Sequence, residues 1–274
     1  MSRITRIAVG SDGSRTANRA VAVASTVSLA FDVPLMVVTA WRRDAIDTRS
    51  AAEAAGTDGY IGEAPWAQSI VADAAAVARR AGVQDVRTYT PVGAPGDALE
   101  NIAHDRPGTL IVVGTIGLDS SAERLLGNIP HHLTHHADAD LLLVKSLDDT
   151  HDWRTIALAT DGSESSIIAC ETGLVLARAL DATPVLLSAG RDEPAVVEIL
   201  QTVADRIDDG QGPLELEAAV GDNISDALAD AAQGHGLLVL GNRRMRGAGR
   251  LLGSVPNDLT HRVPTDILLV NTTR

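Results

Sequence analysis

Two loops hold the residues whose types and spacing best suit chemistry. The first follows a short apolar run: Ser11-Asp12-Gly13-Ser14 comes after IAVG (7–10), and Thr160-Asp161-Gly162-Ser163 after IALA (156–159). Asp, Ser and Thr oxygens accept hydrogen bonds from the free first-turn N–H groups of a helix, and glycine permits a tight turn. Capping alone explains such a motif; a ligand beside Asp12 explains it equally well. The second loop is more specific. After LIVVG (110–114) the chain reads Gly114-x2-Gly117-x9-Gly127-Asn128-Ile129, between an apolar strand and a helix. Glycines let a ligand approach the backbone. The unpaired amides and positive dipole of a helix N-terminus favour a phosphate, and Asn128 adds a side-chain donor.

Other chemistries find less support. There is no Walker A lysine motif and no G-x-S-x-G elbow. Gly247 to Gly253 is one residue too long for G-x-G-x-x-G and does not directly follow its strand. His131 with His135 and His132 with His136 stand at i, i+4, a spacing that can bind metal, yet no matching carboxylate or third ligand stands out. The reading is therefore no metal and no catalytic residue. Cys170, the only cysteine, excludes an intrachain disulfide and reads as a small buried hydrophobe.

The elements that position these loops occur twice. IAVGSDGS (7–14) recurs as IALATDGS (156–163), LLGNIPHHLTH (125–135) as LLGSVPNDLTH (251–261), and DLLLV (140–144) as DILLV (266–270). Asp12 and Asp161 lie 149 positions apart, Gly127 and Gly253 only 126, so the second copy is shorter. Most of the deficit falls after Trp41, in an Ala-, Asp- and Gly-rich excursion over 42–66. A polar, acidic joint at 146–153 puts the boundary near Asp148, giving domains 1–148 and 149–274.

In the first copy the strand candidates are 7–10, 35–41, 86–92, 110–114 and 141–145. In the second they are 156–159, 184–189, 214–220, 237–241 and 267–271. Helical patterns such as Ala17–Ala30 and Ala67–Ala81 separate them. Continuously apolar strands alternating with helices signal a parallel sheet covered on both faces, with right-handed crossovers. The expected fold class is α/β: two tandem five-stranded, doubly wound sandwiches. Ligands in such sheets bind beyond the carboxyl ends of the strands, where strand order reverses. The edge strands LLLVK and ILLVN are the expected contact for pairing the two domains within one chain; a homodimer is the other form such pairing can take.

Composition narrows the function classes. The 274 residues carry a formal net charge of −13, with 45% hydrophobic and 2% aromatic residues. That charge repels nucleic acid and anionic membranes, and aromatic platforms for stacking bases are scarce. No run is long and apolar enough for a signal peptide or a membrane helix, so the expected location is cytoplasmic.

Asp12 after the first strand, with G-x2-G-x9-G-N after the fourth, resembles the universal stress proteins over essentially the whole chain. Gly93-Ala-Pro-Gly-Asp-Ala-Leu and the segments ERLLGNIP and GRLLGSVP carry the same likeness. The resemblance implies an adenine nucleotide between the first and fourth strand ends, ATP or cyclic AMP, with Mg accompanying ATP as an option. Asp12 would lie by the adenosine and the main chain of Ala40 at the adenine edge. Gly114 and Gly117 would line ribose and phosphates, and Gly127, Asn128 and Ile129 would supply phosphate amides. The counterparts in the second copy are Asp161, Ala189, Gly241, Gly253, Ser254 and Val255. That copy departs from the pattern: Arg244 stands where the second glycine belongs, and the loop is one residue short. Arg243, Arg244, Arg246 and Arg250 crowd it, either to clamp phosphates or as a solvated basic loop. The expected role is a stress or energy-state sensor without enzymatic turnover. The alternatives are a slow ATPase or phosphotransferase using Asp12 or Asp119, and a scaffold that binds no nucleotide.

Overall fold

The computed structural model describes residues 4–42, 64–115, 128–145, 153–242 and 254–273. The first half runs β1 (Arg6–Gly10), α1 (Arg15–Phe31), β2 (Leu35–Val38), α2 (Pro65–Arg80), β3 (Val86–Tyr89), α3 (Pro95–Asp105), β4 (Thr109–Gly114), α4 (Asn128–His136) and β5 (Asp140–Val144). The second repeats this plan as β6 (Thr155–Ala159), α5 (Glu164–Ala179), β7 (Thr183–Gly190), α6 (Glu193–Ile207), β8 (Glu215–Val220), α7 (Ile224–Ala232), β9 (Leu237–Asn242), α8 (Ser254–Arg262) and β10 (Asp266–Asn271). All ten strands expected from the sequence are present. Two are shorter than expected: LMVVTAW is strand only to Val38 and VRTYTPV only to Tyr89, and beyond them Trp41 makes an isolated bridge to Val92. The excursion after Trp41 and the boundary near Asp148 lie outside the described residues.

Alternation along the strands divides the core. Ile7, Val9, Leu110, Val112 and their counterparts Ile156, Leu158 and Val239 face α1, α2, α5 and α6. Ala8, Ile111, Val113, Ala157 and Leu238 face α3, α4, α7 and α8. Both faces of the sheet are thus covered, which is why its central strands are apolar throughout rather than alternating. Local signals start the helices as expected. Ser14 accepts from the Ala17 amide at 3.2 Å, Ser163 from the Ser166 amide at 3.3 Å, and α2 and α3 open on Pro65 and Pro95.

Strand order is β3-β2-β1-β4-β5-β10-β9-β6-β7-β8, one sheet of ten strands. Within each half the pairs are parallel; between halves β5 and β10 run antiparallel, Leu142 opposite Leu268. LLLVK and ILLVN are therefore the strands that join the two copies. Each strand begins with an aspartate that reaches the end of the other. Asp266 Oδ1 accepts from the Lys145 amide at 2.8 Å, and Asp140 Oδ1 from the Asn271 amide at 2.8 Å. Asp266 is fully buried and also accepts from Trp153 Nε1 at 3.1 Å. Lys145, the only lysine in the chain, donates through Nζ to the carbonyls of Thr260 (2.9 Å) and Val263 at the C-terminal end of α8. A cation suits the negative end of a helix dipole.

Burial pushes the Lys145 ammonium down to about 8 from its ordinary 10.5, against the opposing pull of Asp266. Because the folded value lies below the unfolded one, the unfolded chain binds more protons between those pH values, and stability rises with pH across that window. Relative to Lys145→Met, the protein should therefore gain on the order of 2 kcal/mol between pH 8 and 10.5. Paired urea titrations at several pH values measure this difference. A difference that stays flat with pH would contradict it.

Candidate functional site

The strand order reverses between β1 and β4 in the first half and between β6 and β9 in the second. A crevice opens at such a point, at the carboxyl ends of the strands. Asp12 and Ala40 follow the ends of β1 and β2, Gly114 ends β4, and Asn128 and Ile129 open α4, so the topology brings these five to one edge of the sheet. Gly117 and Gly127 lie outside the described residues. In the second half Asp161, Ala189, Gly241, Ser254 and Val255 hold the corresponding places, while Gly253 and the four loop arginines lie outside the described residues.

The two DGS turns share their backbone. Gly13 and Gly162 both have φ of +78°, in the left-handed region that favours glycine. Asp12 Oδ1 accepts from the Ser14 amide at 2.9 Å, and Asp161 Oδ1 from the Ser163 amide at 3.0 Å. Here the halves part. The Ser163 hydroxyl also donates to Asp161 Oδ1 at 2.6 Å, whereas the Ser14 hydroxyl lies 3.1 Å from Thr16 Oγ1. For Asp161 burial pushes the carboxyl up, but the hydrogen bonds from Ser163 and Ser166 outweigh it and hold the group below the usual range. The carboxylate of the second copy is thus engaged within its own turn by a donor that the first copy turns elsewhere.

Ala40 supplies a feature that spacing did not reveal. The flanking amides of Thr39 and Trp41 donate to Tyr89 O (3.1 Å) and Pro91 O (3.0 Å), continuing the parallel ladder toward β3. In an extended chain the N–H and C=O of the intervening residue point the other way. On that side the last bond is Ser11 N to Val38 O at 2.9 Å, after which the chain from β1 turns away into α1. Among the described residues, the half-buried main chain of Ala40 has no hydrogen-bond partner. The Thr39 hydroxyl, donating to Ser11 O at 2.7 Å, fixes this segment against the Asp12 turn.

Gly114 and Gly241 prove to have a packing role. A Cβ on Gly114 would stand 2.9 Å from the backbone C and O of Thr16, and one on Gly241 3.0 Å from the Ser165 carbonyl. These glycines let the first turn of α1 or α5 cross close over the neighbouring strand end. Asn128 is exposed and Ile129 half-buried against the core under α4.

The histidine pairs form as their spacing implies. His131 and His135 have ring centroids 4.7 Å apart, and His132 stacks on His136 at 4.5 Å. Beside one of the four stand two carboxylates that spacing did not single out: His132 Nε2 lies 3.3 Å from Asp97 Oδ1 and 3.4 Å from Glu100 Oε2. Among the described residues, no group of three or more ligands suited to a metal ion is present. Cys170 is fully buried, and burial pushes its thiol up to about 12.

The sequence model of the Universal stress protein family matches residues 3–145 and again 152–271. The chain belongs to the universal stress protein family. It carries the family's domain in tandem. "Universal stress protein Rv1636" of Mycobacterium tuberculosis is 38% identical over 146 residues, 53% of this chain and 98% of that one. A universal stress protein structure from Archaeoglobus fulgidus covers 98% of this chain and 99% of its own, with a TM-score of 0.74 at 13% identity. A structure named as a putative universal stress protein from Pseudomonas aeruginosa covers 97% of this chain and 93% of its own, with a TM-score of 0.66 at 16% identity. At those identities the two structures speak to the fold alone, and they extend it over both halves of this universal stress protein.

The close approach at Gly114 yields a prediction. Gly114→Ala should destabilise the fold by about 1–3 kcal/mol with no ligand present, because the added methyl meets backbone that cannot yield locally. Urea unfolding of the protein alone measures it, and an unchanged midpoint would contradict the packing role.

Proposed function

We propose that the first half binds an adenine nucleotide in the crevice between β1 and β4, and that the chain acts as a sensor of stress or energy state rather than as an enzyme. The observation that carries this reading is the unpartnered main chain of Ala40, held beside the Asp12 turn. A half-buried N–H and C=O facing one side require a partner. The Watson–Crick edge of adenine offers an acceptor and a donor side by side. The N-termini of α1 and α4 open on the same edge of the sheet, as an anionic tail requires. Asp12 then lies by the sugar, and Asn128 and Ile129 at the phosphates.

The second half serves this purpose less well. Its aspartate already accepts from the Ser163 hydroxyl, and its loop sequence is a residue short with arginine in place of glycine. We therefore read it as the partner that completes the sheet, and expect a single ligand per chain. ATP is the first ligand to test and cyclic AMP the second. We assign no catalytic residue.

Calorimetric titration of nucleotide-stripped protein tests this. One equivalent of ATP or cyclic AMP should bind. Asp12→Ala should weaken it about tenfold or more, a loss of about 1.4 kcal/mol, while Asp161→Ala leaves it nearly unchanged. Absence of binding by either nucleotide, or equal effects of the two substitutions, would overturn the reading.

A further inference from the structure

The opposite edge of the sheet holds a feature that the nucleotide reading does not use. At the amino ends of β1 and β2 an open crevice of about 270 Å³, mouth included, is lined by Arg6, Arg87 and Arg106. Ala8, Met36 and Arg87, neighbours in register across β1, β2 and β3, line it together with Pro34 and Ile102. Arg6, Arg87 and Arg106 gather positive charge along one small recess. Arg87 has a partial answer, since its Nε and Nη2 bind Asp85 at 3.0 and 2.8 Å. Arg6 and Arg106 have none: among the described residues neither guanidinium has a hydrogen-bond or ion-pair partner. The Arg6 Nε is moreover sealed from solvent with its hydrogen bond unmade.

The internal repeat supplies a control. Register aligns Ile7, Leu35, Val86 and Leu110 with Ile156, Pro184, Leu214 and Leu237. By that alignment Arg6, Arg87 and Arg106 correspond to Thr155, Glu215 and Gln233. The same backbone therefore folds with no arginine at any of the three positions. Nor does the end of α3 demand them. Arg106 is its C-cap, a place where a cation suits the helix dipole, but Gln233 caps α7 in the same place with no basic residue in its last turn. Three arginines in one copy and none in the other, within a chain of net charge −13, point to a requirement beyond folding.

We propose that Arg6, Arg87 and Arg106 form a binding site for a phosphate group, free or carried by a small monoester. Guanidinium forks match the oxygens of a phosphate with paired N–H donors. The group sits at the open mouth of this shallow recess, with any organic remainder outside it. The bound oxyanion supplies the counter-charge that Arg6 and Arg106 lack among the described residues. Because the recess is open and the whole chain is acidic, binding weakens as salt rises.

Arginine Nε–H resonances of 15N-labelled protein test this directly, with the Arg6 and Arg106 peaks assigned by Arg6→Gln and Arg106→Gln. Inorganic phosphate at low ionic strength should move both peaks saturably, and sodium chloride at matched ionic strength should not. Arg106→Gln, at an exposed position, should weaken the response of the Arg6 peak at least about fivefold. It stands alone as the test if Arg6→Gln does not fold. Tighter binding of glycerol phosphate than of inorganic phosphate identifies the ligand as a monoester; the reverse identifies the free ion. Peaks that stay still, that move equally with chloride, or that respond unchanged in Arg106→Gln would overturn the proposal. None of these residues touches the nucleotide crevice, so either reading can fail without the other.

Discussion

Two aspartates hold the seam on which this molecule depends. Asp140 and Asp266 begin the strands β5 and β10, and each accepts the backbone amide at the far end of the other's strand. A buried carboxylate is tolerated only where its charge is met by hydrogen bonds or cations. Here the donors come from across the junction, together with Trp153 and the nearby Lys145. The polar groups sit at the two ends of the ladder, and Leu141, Leu142 and Leu143 fill its middle opposite Ile267, Leu268 and Leu269. A register slip would break both caps at once and turn every leucine to the wrong face. The seam therefore fixes register as well as adding stability, and it converts two sheets with exposed edges into one. The edges that remain are β3 and β8, which carry charged residues such as Arg87 and Glu217, a means of discouraging edge-to-edge association.

Symmetry at the seam contrasts with divergence at the strand ends. Both copies keep the glycine turn, the serine cap and the close crossing of helix over strand, because these belong to the fold. What differs is what the fold leaves free. The second copy spends a serine hydroxyl on its own aspartate and carries Thr155, Glu215 and Gln233 where the first has three arginines. Stability constrains the repeated parts, and the unrepeated parts are where the two copies are free to differ.

Most of the architecture was legible in the residues. Apolar runs bounded by Gly, Asp and Pro gave all ten strands, and the repeat gave the tandem plan, because burial on both faces leaves a continuous pattern that composition alone can carry. The miss at Trp41 has a plain cause: hydrophobicity continues past Val38, but the neighbouring strand β1 has ended, so pairing goes on toward β3 alone, as an isolated bridge. The site was legible only in part. Type and spacing single out Asp12 and the glycines as candidates. The open main chain of Ala40 and the engaged carboxylate of Asp161 depend on which neighbour a backbone or hydroxyl meets, and sequence does not state that. The carboxylates beside His132 were missed for the same reason, since α3 and α4 meet only in the folded chain. Gly114 read as a ligand glycine, and the close approach of Thr16 adds a packing role that spacing does not state.

Hydrogen exchange of the nucleotide-stripped protein, with and without saturating ATP, tests the central claim most directly, because it reads both copies in one molecule. The account predicts slowed exchange over residues 11–17, 39–41 and 128–136, with little change over 160–166 and 254–262. Equal protection in both halves, or none at the Asp12 turn and Ala40, would contradict a nucleotide site built on the first copy alone.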